Sequence, residues 1–491
     1  MNSDAAEYDV DRAGRDAATF ASTVNSHRRL FERATEHACR FRDTLGERPP
    51  RPAIAASDLE ALFEGPTPEI GADSLQVIDA LNSAATPGLA GSAGPRFFGW
   101  VVGASHPAAV AADMLTSAWG QNAGAFAVSP AAAMAEKVAA RWLLDILGLP
   151  QDCSVGFVTG ATMANFVCLA AARNAVLARI GWDVERDGLA GAPPIRLFVG
   201  ADAHASVLAA LRYLGFGERA IRVASDAEGR MDAPALAAAL AHGTGPAIVI
   251  AQAGQINTGA FDPTLQLASI CRRHAAWLHV DGAFGLWART VAELTDLTRG
   301  LEQADSWATD GHKCLQLPYD SGFAIVRDSG AHRRAMSITA SYLPPATESE
   351  YDPGQFVPEL SRRARGFAVW AILRTLGRQG VSAMVRRHCA LARRLARRLA
   401  TEPGVAIVNT VWLNQVLVVF GTGSECEQLT QATVARLQAD NICLAGGADW
   451  HGQFALRLSV ISASLTESDV DRLAVAILAA WRHVQSTRLD R

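Results

Sequence analysis

SVGFVTGATMANFVCLAAARNAVLARI, residues 154–180, begins as a short β-branched and aromatic run and changes at Thr159–Gly160 into a long Ala-rich stretch. The first part has the composition of a buried strand and the second that of a helix. The same switch recurs downstream, where IRLFVG (195–200) leads into SVLAALRYLG. IRVAS (221–225), AIVIAQA (247–253), WLHVDGA (277–283) and FAIVRD (323–328) follow, with PALAAALAHG and TLQLASICRRH as helices between some of them. Strands that alternate with helices define an α/β fold whose mostly parallel sheet is covered on both faces. Such sheets bind ligands just beyond the carboxyl ends of their strands.

The flanks read differently. Residues 1–95 carry helical segments broken by the Pro-rich joints GERPPRPAIA and FEGPTPEIG, which suits a helical arm ahead of a large domain at 96–366. A helical pattern opens a smaller α+β domain at 367–491, and within VRRHCALARRLARRLATEPG the residues Leu391, Leu395 and Leu399 share one face with arginine pairs opposite. That basic face reads as a nucleic-acid arm or as a solvated helix surface. A formal net charge of −4, from 45 Lys plus Arg against 49 Asp plus Glu, favours the solvated surface. VAIVNTVWLNQVLVVFG and FALRLSVISA read as strands of the same domain.

Composition narrows the functional classes. At 491 residues, 49% hydrophobic and 19% charged, the chain can bury a large core, and its charge balance leaves small molecules, not nucleic acid or membrane surfaces, as the expected partners. No stretch approaches the ~20 apolar residues needed to span a bilayer, and MNSDAAEYDVDRAGRD has no apolar core of a leader. The eight cysteines are scattered with no C-x-x-C pair, which suits a reducing cytoplasm.

Polar groups cluster where the architecture places a crevice: TGATMAN (159–165), GADAHAS (200–206), QAGQINTGAFDP (252–263), HVDGAFG (279–285) and DGHK (310–313). TGAT ends a strand and opens a helix, so Thr162 either caps that helix or helps its free N–H groups hold a phosphate. Asp281 closes an apolar strand and either caps the next turn or pairs with a cation such as a protonated heterocyclic nitrogen. His204 is either a helix-start residue or a flat ring that stacks on a ligand. Lys313 sits in an apolar setting, where desolvation moves a lysine toward the neutral, nucleophilic amine. Together these are the groups that pyridoxal 5′-phosphate requires.

The sequence resembles the group II pyridoxal-phosphate-dependent amino-acid decarboxylases, the glutamate, aromatic amino-acid and histidine decarboxylase family, from GPRFFGWV (94–101) to LRLSV (456–460). The resemblance rests on PRFFGW, QNAGAFAVSPAA, TGATMAN, DAHAS, NTGAFDP, HVDGAFG and DGHK. It implies fold type I of the aspartate aminotransferases, with a seven-stranded-type sheet, and a homodimer whose sites are completed across the interface. It further implies Lys313 as the Schiff-base lysine, Asp281 as the partner of the ring nitrogen, and His204 and Ala283 on the two ring faces. Gly160, Ala161 and Thr162 would surround the phosphate, with Thr258 nearby and His312 orienting the phosphate or the lysine. Departures are Ala161 and Met163 for the family's second glycine and its glutamate, Gly282 and Phe284 for alanine and tyrosine, and Cys314 for tryptophan. SPAAAMAE also lacks the family's Thr-Glu pair.

The implied activity is decarboxylation of an L-amino acid to its amine. The acid that reprotonates the α-carbon is expected in SYLPPATESEYDPGQFVPELSRRARG (341–366), with Tyr351 preferred over Tyr342. Without such a tyrosine, oxidative decarboxylation to an aldehyde is the alternative. Glu348, Glu350, Asp352, Glu359, Arg362, Arg363 and Arg365 of that loop suit a charged or a zwitterionic substrate. Arg457 suits a carboxylate or a structural ion pair, and Phe97, Phe98, Trp100 and Trp119 suit an aromatic pocket or core. Two further readings compete: a zinc hydrolase using His279, Asp281 and His312, and a silent cofactor-binding partner.

Overall fold

The structure of the chain, a computed structural model, describes residues 27–338 and 351–489. These fall into two compact units divided at Gly94/Pro95. The first holds α1 (His27–Asp43), α2 (Ala56–Phe63) and α3 (Ser74–Ala85). Asp73 caps α3 by accepting the Leu75 and Gln76 N–H groups, and Arg33 and His37 of α1 reach Asp79 of α3 at 2.6 and 2.7 Å.

The second unit opens with α4 (Pro107–Trp119) and α5 (Pro130–Ile146) and then enters the alternation. β1 (Ser154–Val158), α6 (Ala161–Ala178) and the one-turn α7 (Val184–Asp187) are followed by β2 (Arg196–Gly200), α8 (Ala205–Tyr213), β3 (Ile221–Val223) and α9 (Ala233–Ala241). β4 (Ala247–Gln252), α10 (Thr264–Arg273), β5 (Trp277–Asp281), β6 (Ser306–Asp310), β7 (Gly322–Val326) and α11 (Ser329–Met336) complete it. The seven strands are ordered β1-β7-β6-β5-β4-β2-β3, parallel throughout except for β7, which runs antiparallel to both neighbours.

β6 has the composition that strand signals miss. Its sequence SWATD is mostly small and polar, yet all five residues are buried. The polar atoms are satisfied internally: the Ser306 hydroxyl receives the Trp277 indole N–H at 2.9 Å, and the Thr309 hydroxyl donates to the Ala283 carbonyl at 3.4 Å. α6 lies over β5, β6 and β7. By length and composition it could cross a membrane, but 72% of it is buried inside this unit, as a central core helix.

The C-terminal part is built on α12 (Gly366–Leu399), β8 (Val405–Ile407), β9 (Gln415–Phe420), α13 (Cys426–Ala439), β10 (Gly446–Trp450), β11 (Gln453–Ser459) and α14 (Glu467–Leu489). Its strands form an antiparallel sheet, β10-β11-β9-β8. The glycine-rich β10 carries no strand signal in the sequence. α12 is two helices meeting at Gly377, whose φ of 59° favours glycine. It packs against α4 and α5 at one end and against α14 and β8 at the other, so the expected boundary at 366/367 opens an element with contacts on both sides of that boundary. Leu391, Leu395 and Leu399 are buried, while Arg394 and Arg398 pair with Glu467 and Asp471 of α14.

Buried histidines make this fold acid-sensitive. His332 of α11 is enclosed, with Nδ1 2.8 Å from the Ser154 hydroxyl and Nε2 2.9 Å from the Phe356 carbonyl, and burial pushes its pKa down to about 4 from 6.5. The folded state therefore binds fewer protons than the unfolded chain, so stability is lost as pH falls from 6.5 toward 4. Urea denaturation at pH 7 and pH 4.5 should show His332→Gln losing about 2 kcal/mol less than the wild type on acidification, the linkage value for that pKa difference.

Candidate active site

The ends of β5 and β6 and the turn after β6 bring together the side chains that carry chemistry. Asp310 is the last residue of β6 and its side chain is 3% exposed. Oδ1 accepts the Ala161 N–H at 2.6 Å and lies 3.3 Å from His312 Nε2, while Oδ2 lies 2.9 Å from Lys313 Nζ. Asp310 is fixed through its backbone as well, by its N–H to the Ala283 carbonyl and by the Trp287 indole N–H on its own carbonyl. The sequence points to DGHK without giving this aspartate a role, because the strand it ends carries no strand signal. Lys313 is one of only two lysines in the chain, and the other, Lys137 on α5, is exposed.

Asp281 ends β5 and is 5% exposed. The Ala283 N–H reaches Oδ1 at 3.2 Å and the Asn165 amide reaches Oδ2 at 3.3 Å. Behind Asn165 runs a one-way chain of donors. The Trp277 indole N–H donates to the Ser306 hydroxyl, which donates to His279 Nδ1 at 2.9 Å. His279 Nε2 then donates to Asn165 Oδ1 at 2.8 Å. Burial pushes His279 down to about 3, so it is neutral. Burial also raises Asp281 above the ordinary carboxylate range, against the pull of His204 and Lys313, and no cationic nitrogen lies within 4 Å of it among the described residues. Both nitrogens of His279 are thus engaged away from Asp281. No group of three His, Cys, Asp or Glu among the described residues is disposed to hold a metal ion.

The loop before α6 is packed against the same turn. Gly160 lies so close to β7 that a Cβ on Gly322 would fall 2.5 Å from the Gly160 Cα. Ala161 is the first residue of α6, and its N–H, expected at a phosphate, is held by Asp310. With the Ala164 N–H on the Gly160 carbonyl, the Thr162 and Met163 N–H groups are the donors left at that helix end. His204 caps α8, accepting the Ser206 N–H at 3.2 Å, and its ring is exposed. His312 accepts the Ser321 N–H at 3.2 Å, stacks near Tyr319, and is held below the usual histidine range by burial. The hydroxyl of Thr258 donates to the Glu228 carbonyl of another loop at 2.7 Å and accepts the Ala260 N–H at 3.2 Å, with no hydrogen bond to Lys313.

Tyr351 is placed elsewhere. Its hydroxyl donates to the Val155 carbonyl of β1 at 3.4 Å, its ring stacks on Phe356, and burial pushes its phenol well above the usual range. It touches none of Lys313, Asp281 or His204. Tyr342, Glu348 and Glu350 lie outside the described residues. The three arginines of the loop end are engaged: Arg362 with buried Glu136, Arg363 with Asp113 and Arg365 with Asp320. Phe97 and Phe98 belong to the core, whereas Trp100 and Trp119 are exposed. A cavity of about 830 Å³ opens beside Arg230, Asp262 and Trp412 and includes none of the Lys313 cluster.

The turn that carries Lys313 is clamped from behind by Gln316, a residue the sequence did not single out. Gln316 is fully buried with φ 59°. Its amide donates to the carbonyls of Lys313 and Ile461, both at 2.8 Å, its Oε1 accepts the Ala463 N–H at 2.9 Å, and its own carbonyl accepts the His106 N–H. Gly103 completes the seat, since a Cβ there would fall 2.3 Å from the His312 carbonyl and 2.5 Å from that of Lys313.

A lysine and two buried carboxylates at the ends of β5 and β6, beside a helix start after β1, define a class of carbonyl-handling site on an α/β sheet. The chain belongs to the pyridoxal-dependent decarboxylase family, whose conserved domain matches residues 57–422. It is 30% identical over 318 residues to the aromatic-L-amino-acid decarboxylase of Bacillus atrophaeus, covering 63% of this chain and 64% of that protein. It is 29% identical over 392 residues to the L-2,4-diaminobutyrate decarboxylase of Rhizobium meliloti, covering 77% and 76%. The chain thus spans under two thirds of the length of the first of these curated relatives. The fold is that of the crystal structure of Oryza sativa TDC with PLP and tryptamine, at a TM-score of 0.86, 23% identity, and 94% and 98% coverage. It is equally that of Rhodiola rosea 4-hydroxyphenylacetaldehyde synthase, at 0.82, 21%, 94% and 98%.

Replacing Gln316 with leucine takes the side-chain partner from the Ile461 carbonyl and the Ala463 N–H, each costing roughly 1–3 kcal/mol, while the Lys313 carbonyl keeps the backbone N–H of residue 316. Urea denaturation should show Gln316→Leu destabilised by at least about 2 kcal/mol.

Proposed function

We propose that this chain removes the α-carboxyl group of an L-amino acid as carbon dioxide and releases the amine, using pyridoxal 5′-phosphate held on Lys313. The observation that carries this reading is one poorly exposed lysine amine 2.9 Å from the buried Asp310 carboxylate, on the strand end next to the one that carries buried Asp281. Arginine cannot take its place, because a guanidinium stays protonated and does not form carbonyl adducts at neutral pH.

The other groups fit the same cofactor. Asp281, a buried carboxylate given only neutral hydrogen-bond donors, suits a protonated ring nitrogen. His204, at the start of α8, offers a ring face, and Ala283, on the loop after β5, offers a small side chain for the other face of the cofactor. The positive end of α6, with the Thr162 and Met163 N–H groups, suits the phosphate. When bound, pyridoxal phosphate supplies the electron sink for the pair of electrons left as the carboxylate departs. Arg457 of β11 is partly buried, hydrogen-bonded at 3.4 Å only to the neutral amide of Asn257, and paired with no carboxylate among the described residues, so it is our choice for the substrate carboxylate.

One observation favours a second outcome for the same site. The Tyr351 phenol is engaged on β1, so the preferred acid is not at Lys313 among the described residues. If no acid reaches the α-carbon, molecular oxygen can take its electrons, giving aldehyde, carbon dioxide, ammonia and hydrogen peroxide. We further infer a homodimer in a reducing cytoplasm, supported by the exposed Trp100 and Trp119 and by eight unpaired cysteines.

Purified protein should absorb visible light when loaded with pyridoxal phosphate, and Lys313→Ala should abolish both that absorbance and turnover. An amino-acid panel assayed for carbon dioxide, amine, aldehyde and peroxide together separates the two outcomes; amine without peroxide is expected. Arg457→Met should lower kcat/KM by about 10- to 100-fold through KM, the range for losing a charged hydrogen bond.

A further inference from the structure

We propose that Asp310 is a catalytic residue, the base that takes the proton of Lys313 so that its amine can attack an aldehyde carbon. This rests on the reading of Lys313 as the attachment point for pyridoxal phosphate and deepens it. The carboxylate is immobilised on three sides: Oδ1 holds the Ala161 N–H at 2.6 Å and faces His312 at 3.3 Å, and the residue's N–H and carbonyl are tied to Ala283 and Trp287. Only Oδ2 remains, and at 2.9 Å it meets Nζ. The amine, by contrast, ends a flexible stem and is 17% exposed against 3% for Asp310. A fixed acceptor with a mobile donor is the geometry of proton delivery. A purely structural pair would be met better by arginine, with its two-pronged contact, and this chain uses arginine at all but two of its 45 Lys and Arg positions.

The step balances. An ammonium at Nζ gives one proton to Oδ2 and becomes the neutral amine. Nζ bonds to the aldehyde carbon, a second Nζ hydrogen moves to the former carbonyl oxygen, and that oxygen leaves as water with the proton returned by Oδ2. Nζ keeps one hydrogen and a positive charge in its new double bond to carbon, and Asp310 ends as the carboxylate it began as. Release of Lys313 by an incoming amine runs through the same acceptor in reverse. Asp281, the buried carboxylate on the neighbouring strand end, makes no hydrogen bond to Nζ and does not share this role.

The test uses full-length protein stripped of cofactor and mixed with pyridoxal phosphate, following visible absorbance and then fixing the adduct with borohydride. With two lysines in the chain, peptide mass assigns the attachment directly. Affinity for pyridoxamine phosphate, which lacks the aldehyde, is measured separately by fluorescence. Asp310→Asn should slow attachment at pH 7 by about 100-fold, the usual size of general-base effects, with pyridoxamine phosphate affinity changed less than about threefold. Its rate should then rise about tenfold per pH unit, as solvent takes over the proton, where the wild type is flatter. An unchanged attachment rate overturns the proposal. So does a loss matched by weaker pyridoxamine phosphate binding, which would place Asp310 at the phosphate end of the site instead. If the Asn variant melts early, Asp310→Ser replaces it, and added formate must raise its attachment rate about tenfold or the proposal fails. Wild-type protein that never attaches cofactor at Lys313 sinks this proposal together with the cofactor reading, whereas attachment unaffected by Asp310 sinks this one alone.

Discussion

A carboxylate at the closed end of a buried parallel strand must be solvated by the protein itself, and Asp281 sets that demand at the middle of this sheet. Asn165 on α6 answers one oxygen and is itself held by His279, which leans on Ser306 of the next strand. That chain ties α6, β5 and β6 into one rigid block. The register of β5 against β6, with Asp281 beside Ala308, then decides where Asp310 and the turn after it must lie. Lys313 inherits its position from a hydrogen-bond requirement one strand away.

This dependence separates what was readable in the sequence from what was not. Strands of Val, Ile, Leu and Phe announce themselves by composition, as β1, β2, β4 and β5 did, and the polar residues after them marked the site. β6 was silent because its serine, threonine and aspartate are satisfied by partners on other elements, and no local pattern encodes a partner 27 residues away such as His279 for Ser306. Asp310 was hidden for the same reason, and Gln316 because its bonds run to Ile461 and Ala463, far along the chain. Strand-end position and chemistry led to Lys313, Asp281 and His204, and family likeness then gave them roles. The likeness also led to Thr258 and Tyr351, whose hydroxyls the structure engages with the Glu228 and Val155 carbonyls.

The C-terminal sheet contributes to the site without a strand end of its own. Its loop after β11 presents the Ile461 carbonyl and the Ala463 N–H to Gln316, and β11 itself presents Arg457. α12 changes direction at Gly377, where its two helices meet, and so packs against α4 and α5 as well as against α14, β8 and β9 of the C-terminal part.

The near absence of lysine has a meaning of its own. Aldehydes condense with any unprotonated primary amine, so a protein exposed to them at high local concentration gathers random adducts on its surface lysines. Arginine gives the same charge and the same ion pairs at neutral pH while staying inert to this reaction. By writing nearly all its cations as arginine, the chain leaves Lys137 as the one other side-chain amine beside Lys313. Selectivity for a single attachment point is therefore distributed over the whole surface, as a property of what the rest of the molecule omits.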